Sequence, residues 1–289
     1  MNKRHLSALL DTLLFSNVFI ACCAVAQGAL TYRLLSLPAD WYVLGLLGCS
    51  TLAMYNCSMI LSRPLFPDQS PYRRVRWIFR HERALRGWTA LALAGALYTG
   101  CHLHRYTVFL IGCLAVIGLA YHLPVVWLSG RRKWVNMRQV TGLKLIYIGV
   151  TWAISVVLLP VAEAKQMGGV VPWPAVTDMF GWVWLFVVAI TIPFDIRDIY
   201  QDRAYGLRTL PVMIGERNAR LLSFVLLLIQ AVWIWTSAYP EEIRQALAGC
   251  SLLALLVIAL PVFRRNGYYY FLLLDGLLLL QFLAVLALG

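Results

Sequence analysis

Long apolar runs recur along the whole chain and determine its predicted structure. Each is close to the roughly 20 residues that a helix needs to cross the hydrocarbon core of a bilayer. These runs occupy 6–30, 41–61, 85–101, 106–128, 142–161, 178–194, 221–239, 243–263 and 269–288. The pattern therefore predicts an all-α polytopic membrane protein, a single bundle of about nine transmembrane helices that forms one domain over residues 1–289.

The composition agrees with a membrane protein and excludes a soluble one. Of the 289 residues, 61% are hydrophobic and 13% are charged, and the mean hydropathy is +0.73, so a soluble globule could not bury the apolar side chains. The seven cysteines lie in or at the ends of apolar runs, without the paired spacing of a metal site. We interpret them as small core residues.

The net charge of +12 indicates orientation because the basic residues lie between the apolar runs. With nine spans and an inside amino terminus, 21 of the 25 Lys and Arg residues fall on the inner side. This predicts a cytoplasmic amino terminus and an outside carboxyl terminus, in an integral protein of the bacterial inner membrane. The expected surroundings are membrane lipids, and nucleic acid is not an expected partner.

Two connections on the predicted inner side are long and polar. They are residues 62–85, here called the first polar segment, and residues 195–220, the second polar segment, and both are predicted to be cytosolic loops. Both are rich in arginine, whose planar guanidinium binds phosphate oxygens in a forked geometry. Topology alone would also place arginines there, so both explanations stay open at this point.

Three carboxylates begin the second polar segment. Asp195, Asp198 and Asp202 are spaced i, i+3 and i+7, which places them within an arc of about 60° on a helix. Hard oxygen ligands on one face suit Mg²⁺, which keeps several waters and bridges to phosphate oxygens. The alternative is a solvated helix end whose carboxylates pair with Arg197 and Arg203.

A loop is predicted after the acidic stripe. Gly206 permits a left-handed turn and Pro211 stops or restarts a helix. Arg208 and Thr209 lie between them, on a loop that can return toward the carboxylates and present the arginine to a phosphate.

The stretch DIRDIYQDRAYGLRTLPVMIG, residues 195–215, closely resembles the second aspartate-rich motif and following loop of the UbiA-type intramembrane prenyltransferases. That family is similar in having nine helices, an inside amino terminus and two long cytosolic loops after the second and sixth helices. The resemblance implies transfer of an isoprenoid chain from a polyprenyl diphosphate to an aromatic or other lipid-soluble acceptor, with Mg²⁺ assisting departure of the diphosphate. It also implies that the second and sixth spans are neighbours around one cavity.

The first aspartate motif of that family is degenerate in this chain. Asn56 matches its asparagine, but Ile60 and Pro64 stand where the aspartates are expected, and Asp68 is the next acid. The expected lysine after the fourth span is not clear, and Lys144 is the nearest basic candidate. The alternative for Lys144 is an interfacial lysine whose head group reaches the water.

The resemblance implies roles for six residues. Asp195, Asp198 and Asp202 would be the catalytic metal ligands for Mg²⁺, and Asn56, Lys144 and Arg208 would bind the diphosphate. The resulting hypothesis is a prenyltransferase with half of the expected metal site missing. The alternatives are a non-catalytic relative that binds a diphosphate lipid or assists a partner protein and, on helix count alone, a transporter.

Other polar residues lie inside apolar runs, where polar side chains tend to face the interior of a bundle. They are expected to form interhelical hydrogen bonds or to line a pocket: Asp11, Asn17, His122, Gln230, Asp275 and Gln281.

Overall fold

A computed structural model of the chain describes residues 3–122, 124–128, 133–136, 143–204, 206–260 and 267–288. Most of them are helical. In chain order the helices are α1 Lys3–Phe15, α2 Val18–Leu34, α3 Trp41–Leu61, α4 Arg73–Arg80, α5 Glu82–Gly100, α6 Arg105–His122, α7 Leu143–Ala153, α8 Leu159–Gln166, α9 Trp173–Arg197, α10 Ile199–Ala204, α11 Leu210–Ile214, α12 Glu216–Trp235, α13 Glu241–Ala259 and α14 Asp275–Leu288. A 3₁₀ turn at Pro67–Gln69 precedes α4, and π-helical turns at Ile154–Leu158 and Tyr269–Leu274 precede α8 and α14.

Six helical stretches of the described chain are long and apolar enough to cross a membrane, so the chain is a polytopic membrane protein. They are Trp41–Leu61, Leu143–Gln166, Trp173–Arg197, Glu216–Trp235, Glu241–Ala259 and Tyr269–Leu288. The pair α1 and α2 passes the same test only as one span bent by 60°. Asn17 lies at this bend in the left-handed conformation, with φ of 67°, which asparagine tolerates better than most residues.

The predicted count of nine spans stays a prediction. The third predicted span corresponds to α5, which is not among the six stretches. Three charged residues in its first turns lower the hydropathy of this helix. The fourth corresponds to α6, and here the predicted boundary at Leu128 is wrong. The helix ends at His122, and strand β1 (Pro124–Leu128) then pairs antiparallel with strand β2 (Lys133–Asn136). Pro124 has no backbone N–H and disfavours helical geometry in the residue before it.

The principal helices close into a ring. Going around it, α2 packs on α14, α14 on α13, α13 on α12, α12 on α9, and α9 on α7. The π-helical turn after α7 packs back on α2, while α3 and α5 lie outside α2. The main partners of α3 are therefore α2 and α5, and those of α9 are α7 and α12. The second and sixth predicted spans are not each other's main packing partners, and their expected position around one cavity stays a prediction.

A proline inside one span has its missing backbone hydrogen bond replaced by a side chain of a neighbouring helix. Pro160 cannot donate to the carbonyl of Val156, and the Thr31 hydroxyl on α2 donates to that oxygen at 2.7 Å. Hydroxyl groups on neighbouring helices commonly satisfy such freed carbonyls in membranes. This contact holds α2 against the π-helical turn, and thus helps to close the ring.

Several polar residues within the spans are buried, as the sequence predicts. Asp11, Asn17, Gln230 and Gln281 have at most 7% of their surface exposed. Gln27 donates to Gln281 Oε1 at 3.0 Å, and thus joins α2 to α14. Asp275 is half-buried, and the side chain of His122 lies outside the described residues.

Candidate functional site

The acidic stripe lies where α9 passes into α10. Asp198 caps the carboxyl end of α9, yet its N–H donates to Phe194 O at 3.2 Å and the N–H of Asp202 donates to Asp198 O at 2.8 Å. Helical spacing is therefore maintained through the break. The stripe predicted from the i, i+3 and i+7 spacing is thus carried by two consecutive helices.

A proline lies two residues before the first carboxylate. Pro193 leaves the carbonyl of Ala189 without its intrahelical donor, and the Ser223 hydroxyl on α12 donates to that oxygen at 2.7 Å. This contact ties the carboxyl end of α9 to α12. The position of Asp195 therefore depends on both α9 and α12.

Asp195 forms a buried ion pair with Lys144. The Lys144 ammonium contacts Asp195 Oδ1 directly, and only 1% of the Asp195 surface is exposed. Leu145, Val188 and Ile192 form the apolar core beside the pair, where α7 packs on α9. Burying a charge without a partner is costly, so the two charges depend on one another. Of the six residues with predicted roles, the structure brings these two into direct contact.

Asp198 is paired with the arginine that precedes it. Arg197 donates to both carboxylate oxygens, from Nε at 2.7 Å and from Nη2 at 2.9 Å. The same guanidinium lies over the aromatic rings of Tyr270 and Phe194, with Cζ at 4.7 Å and 5.5 Å from their centroids. The aromatic residues before α14 therefore hold this ion pair at the end of α9.

Asp202 is buried and incompletely satisfied. It is 6% exposed, and among the described residues its Oδ2 atom has no hydrogen-bond partner. The following loop returns to it, because the N–H of Leu207 donates to Asp202 O at 2.8 Å and Gly206 adopts a φ of 64°. Thr209 on this loop is also buried, and its hydroxyl likewise has no partner in the described part of the chain.

Arg208 does not join this group. Its side chain is exposed, and within the described ranges it makes no hydrogen bond or ion pair. The return of the loop toward the carboxylates therefore stays a prediction, although the loop bonds back to the main chain of Asp202.

The carboxylates fit Mg²⁺ by their chemistry and only partly by their arrangement. The residues described here contain no ready cluster of three or more Asp, Glu, His or Cys side chains that could hold a metal. However, Mg²⁺ is commonly held by one or two carboxylates together with waters and substrate phosphates. The buried Asp202 oxygen without a partner supplies one such ligand, whereas Asp195 and Asp198 are neutralised by Lys144 and Arg197.

Asn56 lies on α3 and is completely buried. Its Oδ1 accepts from Asn17 Nδ2 at 2.7 Å, and Asn17 Oδ1 accepts from Arg74 Nη2 at 2.5 Å. Asn56 Nδ2 has no partner among the described residues. The remnant of the first motif is therefore connected to an arginine of the first polar segment by way of the bend between α1 and α2.

Arg73 and Arg74 begin α4 and point to different partners. Arg73 forms an ion pair with Asp11 and donates to Ser7 Oγ at 3.0 Å. Arg74 lies with Cζ 4.2 Å from the centroid of Phe271. Burial, and to a lesser degree Arg197, lowers the pKa of Arg74 to about 10, so it remains charged at neutral pH. Topology and phosphate binding both explain arginines in this segment, and no signal in the sequence distinguishes Arg73 from Arg74.

A cavity of about 200 Å³ adjoins the end of α9. Its lining comes from α9, α10, α12, α13 and the turn before α14 and includes Arg197, Tyr200, Glu216, Arg220 and Tyr270. None of the three aspartates lines it. The expected shared cavity of Asn56 and Asp195 is therefore not this one.

The sequence matches the family model described as UbiA prenyltransferase family over residues 75–269. This range includes Lys144 and the whole second polar segment, and it begins after Arg74. No curated protein gives a significant match to the chain.

Solved structures share the fold over nearly the whole chain. The apo structure of a UbiA homolog from Aeropyrum pernix K1 has a TM-score of 0.66 at 18% identity, and the match covers 94% of this chain and 97% of that one. A UbiA homolog from Archaeoglobus fulgidus bound to GPP and Mg²⁺ has a TM-score of 0.63 at 14% identity, with 96% and 99% covered. At such identities the likeness establishes the fold alone.

Proposed function

The chain belongs to the UbiA prenyltransferase family, and we propose that it transfers an isoprenoid chain from a polyprenyl diphosphate to a lipid-soluble acceptor inside the membrane. The observation that carries this proposal is the acidic end of α9. There Asp195, which is buried and paired with Lys144 of α7, precedes by seven residues Asp202, whose buried carboxylate oxygen lacks a hydrogen-bond partner among the described residues. The solved homolog from Archaeoglobus fulgidus, which is bound to GPP and Mg²⁺, supports the choice of substrate class and metal.

We assign the diphosphate to the space next to the acidic stripe. Asp195, Asp198 and Asp202 would hold Mg²⁺, with the open Asp202 oxygen as the readiest ligand. When bound, the ion would neutralise negative charge on the departing diphosphate. Lys144 would contribute a positive charge and hold Asp195 in place, and Arg208 would reach diphosphate oxygens from the exposed loop.

The chemical step breaks the allylic C–O bond, and both electrons of that bond leave with the diphosphate. The acceptor then forms a bond to the allylic carbon and releases a proton. Fixed positive groups at the diphosphate favour this step because they stabilise charge that develops in the transition state. Near the acidic end, Phe194 packs against Tyr270 and Phe271, with ring centroids 5.3 Å and 6.3 Å away. Such rings exclude water and stabilise positive charge.

A second candidate function is binding of a diphosphate lipid without transfer, alone or in support of a partner enzyme. The feature that favours it is the sequence after Asn56, where Ile60 and Pro64 occupy the positions at which the family resemblance implies carboxylates. In this case Mg²⁺ would support binding, and no product would form.

The orientation is part of the proposal. The amino terminus and both polar segments face the cytoplasm of a bacterial inner membrane, supported by the 21 to 4 division of basic residues. Labelling of single introduced cysteines in a cysteine-free variant, from either side of the membrane, tests this. Selective outside labelling of α4 would contradict it.

The deciding experiment uses purified protein in lipid nanodiscs with radiolabelled geranyl diphosphate, Mg²⁺ and a panel of aromatic and glycerol-based acceptors. We expect labelled prenyl product from the parent and at least 100-fold less from Asp198→Ala. The matched control is Asp178→Ala, which removes a carboxylate near the opposite end of α9.

The outcomes separate the two candidates. Mg²⁺-dependent binding of geranyl diphosphate without product from any acceptor supports the non-catalytic function. Absence of both binding and product contradicts both candidates. Equal transfer by Asp198→Ala and the parent removes the acidic stripe from the mechanism.

A further inference from the structure

Asp275 is an acidic residue inside the last membrane-spanning stretch, Tyr269–Leu288, and it has no role in the transfer described above. It is half-buried, so part of its surface borders open space. A carboxylate within a span is costly, and acids in such positions commonly mark substrate paths or sites of proton transfer. The role of Asp275 therefore depends on the groups that surround it.

The carboxylate of Asp275 has no directly bonded partner in the described part of the chain. Arg74 on α4 and Arg197 on α9 attract it electrostatically, but no hydrogen bond or ion pair joins its side chain to either one. The contact from α2 is made with the main chain, because the Cys23 thiol donates to Asp275 O at 3.3 Å. A structural ion pair therefore does not explain this carboxylate.

Helix capping does not explain it either. Acids are favoured at helix amino termini, where free N–H groups and the helix dipole attract negative charge. Asp275 instead follows the π-helical turn Tyr269–Leu274 without a break, and its own N–H donates to Tyr270 O, five residues before it. Single π-helical turns inside helices are rare and are frequently found at functional sites. The backbone therefore also distinguishes this position.

The π-helical turn brings Asp275 close to the acidic end of α9. Phe271, about one helical turn before Asp275, has its ring centroid 6.3 Å from that of Phe194. Phe194 directly precedes Asp195 in the sequence, and Arg197 on the same end of α9 is one of the two cations that attract Asp275. The carboxylate therefore lies near the aromatic rings that would surround the allylic carbon in the proposed transfer.

The proposed transfer releases a proton, and the other nearby carboxylates are engaged. Three of them are held by basic side chains: Asp195 by Lys144, Asp198 by Arg197 and Asp11 by Arg73. The open oxygen of Asp202 is assigned to Mg²⁺. A general base must have an oxygen or nitrogen atom within hydrogen-bond reach of the proton that it takes. Asp275 has such oxygens, and no basic side chain of the described residues is bonded to them.

We propose that Asp275 is the general base that takes the proton from the acceptor. This inference rests on the proposed function, and it requires an acceptor with an O–H group, such as a phenol or an alcohol. The allylic C–O bond breaks, and its electron pair leaves with the diphosphate. The acceptor uses one electron pair to bond to the allylic carbon. The electron pair of its O–H bond stays on the acceptor, and the proton passes to an Asp275 oxygen and later to water.

The test compares Asp275→Asn, which keeps the shape of the side chain but is not a base, with the parent in lipid nanodiscs. Both receive radiolabelled geranyl diphosphate, Mg²⁺ and a series of phenols of increasing acidity. A general base contributes roughly 10²–10⁴-fold to the rate, so turnover with the least acidic phenol should fall by about 100-fold or more. The loss should shrink as the phenol becomes more acidic, because an ionised acceptor needs no base. Binding of geranyl diphosphate, measured by calorimetry, should not weaken.

The matched control is Asp178→Asn, the same change at another half-buried aspartate of a span, near the opposite end of α9. Its turnover should stay within about 2-fold of the parent. Asp275→Glu keeps a carboxylate and should retain more turnover than Asp275→Asn. Each protein is first compared with the parent in its thermal unfolding midpoint, so that lost turnover is not confused with lost folding. If Asp275→Asn does not fold, the phenol series measured on Asp275→Ser decides the question.

Three results would overturn the inference: unchanged turnover by Asp275→Asn with the least acidic phenol, a loss of equal size with every phenol, or an equal loss in Asp178→Asn. The second result would indicate a structural role for the carboxylate. Failure of the proposed function has a different signature. A parent that forms no prenyl product with any acceptor refutes the transfer and the base together, whereas a parent that transfers equally well without the carboxylate refutes the base alone.

Discussion

The second polar segment has its carboxylates within eight residues of one helical stretch, whereas the group of polar side chains around Asn56 comes from separate elements. On the acidic side, Asp198 pairs with the residue next to it and Asp202 holds the loop that follows it. Around Asn56, the relay joins α3 to the bend before α2 and to α4.

This difference shows that neighbouring residues of one helix can form a polar group that a sequence pattern describes, whereas a group built from several elements has no such pattern. The family match includes the acidic side and begins at residue 75, directly after Arg74. The acidic side is local in sequence, so a sequence pattern describes it well. The group around Asn56 depends on contacts between distant residues, since Asn56 bonds to Asn17 and Asn17 bonds to Arg74.

The largest expected effect comes from breaking the buried pair on the acidic side. Lys144→Met leaves Asp195 buried without its partner, which typically costs about 3–5 kcal/mol. Thermal unfolding in detergent should show a clearly lower midpoint. Lys165→Met, a change at the exposed far end of the same span, should shift it little.

The double variant Lys144→Met with Asp195→Leu sharpens this test. It removes both charges, and we expect it to recover much of the lost stability, because apolar replacements of a buried pair are often tolerated. A double variant as unstable as Lys144→Met would show that packing, and not the unpaired charge, causes the loss.

The next effect concerns the open carboxylate. Asp202→Asn should weaken Mg²⁺-supported diphosphate binding by roughly 10–100-fold, or about 1.4–2.7 kcal/mol, as for other changes at metal sites. Without metal, the free energy of unfolding of the Asp202→Asn protein should not fall, because the substitution removes a buried charge that has no hydrogen-bond partner. Titration calorimetry with and without Mg²⁺ measures the diphosphate affinity, and scanning calorimetry measures the stability. Asp68→Asn, at an exposed acid of the first polar segment, is the control, and equal losses in both variants would contradict the assignment.

A smaller effect is expected at the bend on the Asn56 side. Asn17→Gly removes the relay but keeps the left-handed backbone accessible, whereas Asn17→Ala also places a β-carbon in that conformation. The alanine variant should therefore be less stable than the glycine variant by about 1–2 kcal/mol. Unfolding midpoints of the two proteins give the difference. A more stable alanine variant would mean that the bend is not maintained.

The smallest effect is at the degenerate position itself. Ile60 is half-buried, so Ile60→Ala should cost about 1 kcal/mol of packing and leave the Mg²⁺ dependence of binding unchanged. Ile60→Asp restores one carboxylate, and we expect Mg²⁺-dependent diphosphate binding to increase. If alanine alone changes the Mg²⁺ dependence, position 60 has a role beyond packing.

The sequence by itself determined the class of the protein and the extent of most spans. The second predicted span, Trp41–Leu61, matches α3 at both ends, and the predicted acidic stripe is found at the end of α9. The reason is that membrane burial and helical spacing are local, so they can be read along the chain. Local patterns do not fix every helix end. The fourth apolar run continues to Leu128, but α6 ends at His122, before Pro124.

Only the tertiary structure decided which polar groups meet. Lys144 could have been an interfacial lysine, and its pairing with Asp195 follows from the packing of α7 on α9. Likewise, Asn56 meets Asn17 because α3 packs on α2, and Arg74 reaches Asn17 and Phe271 because α4 packs on α1, which also contacts the turn before α14. Such pairings depend on helix order and rotation within the bundle, which the composition and spacing of single helices do not specify.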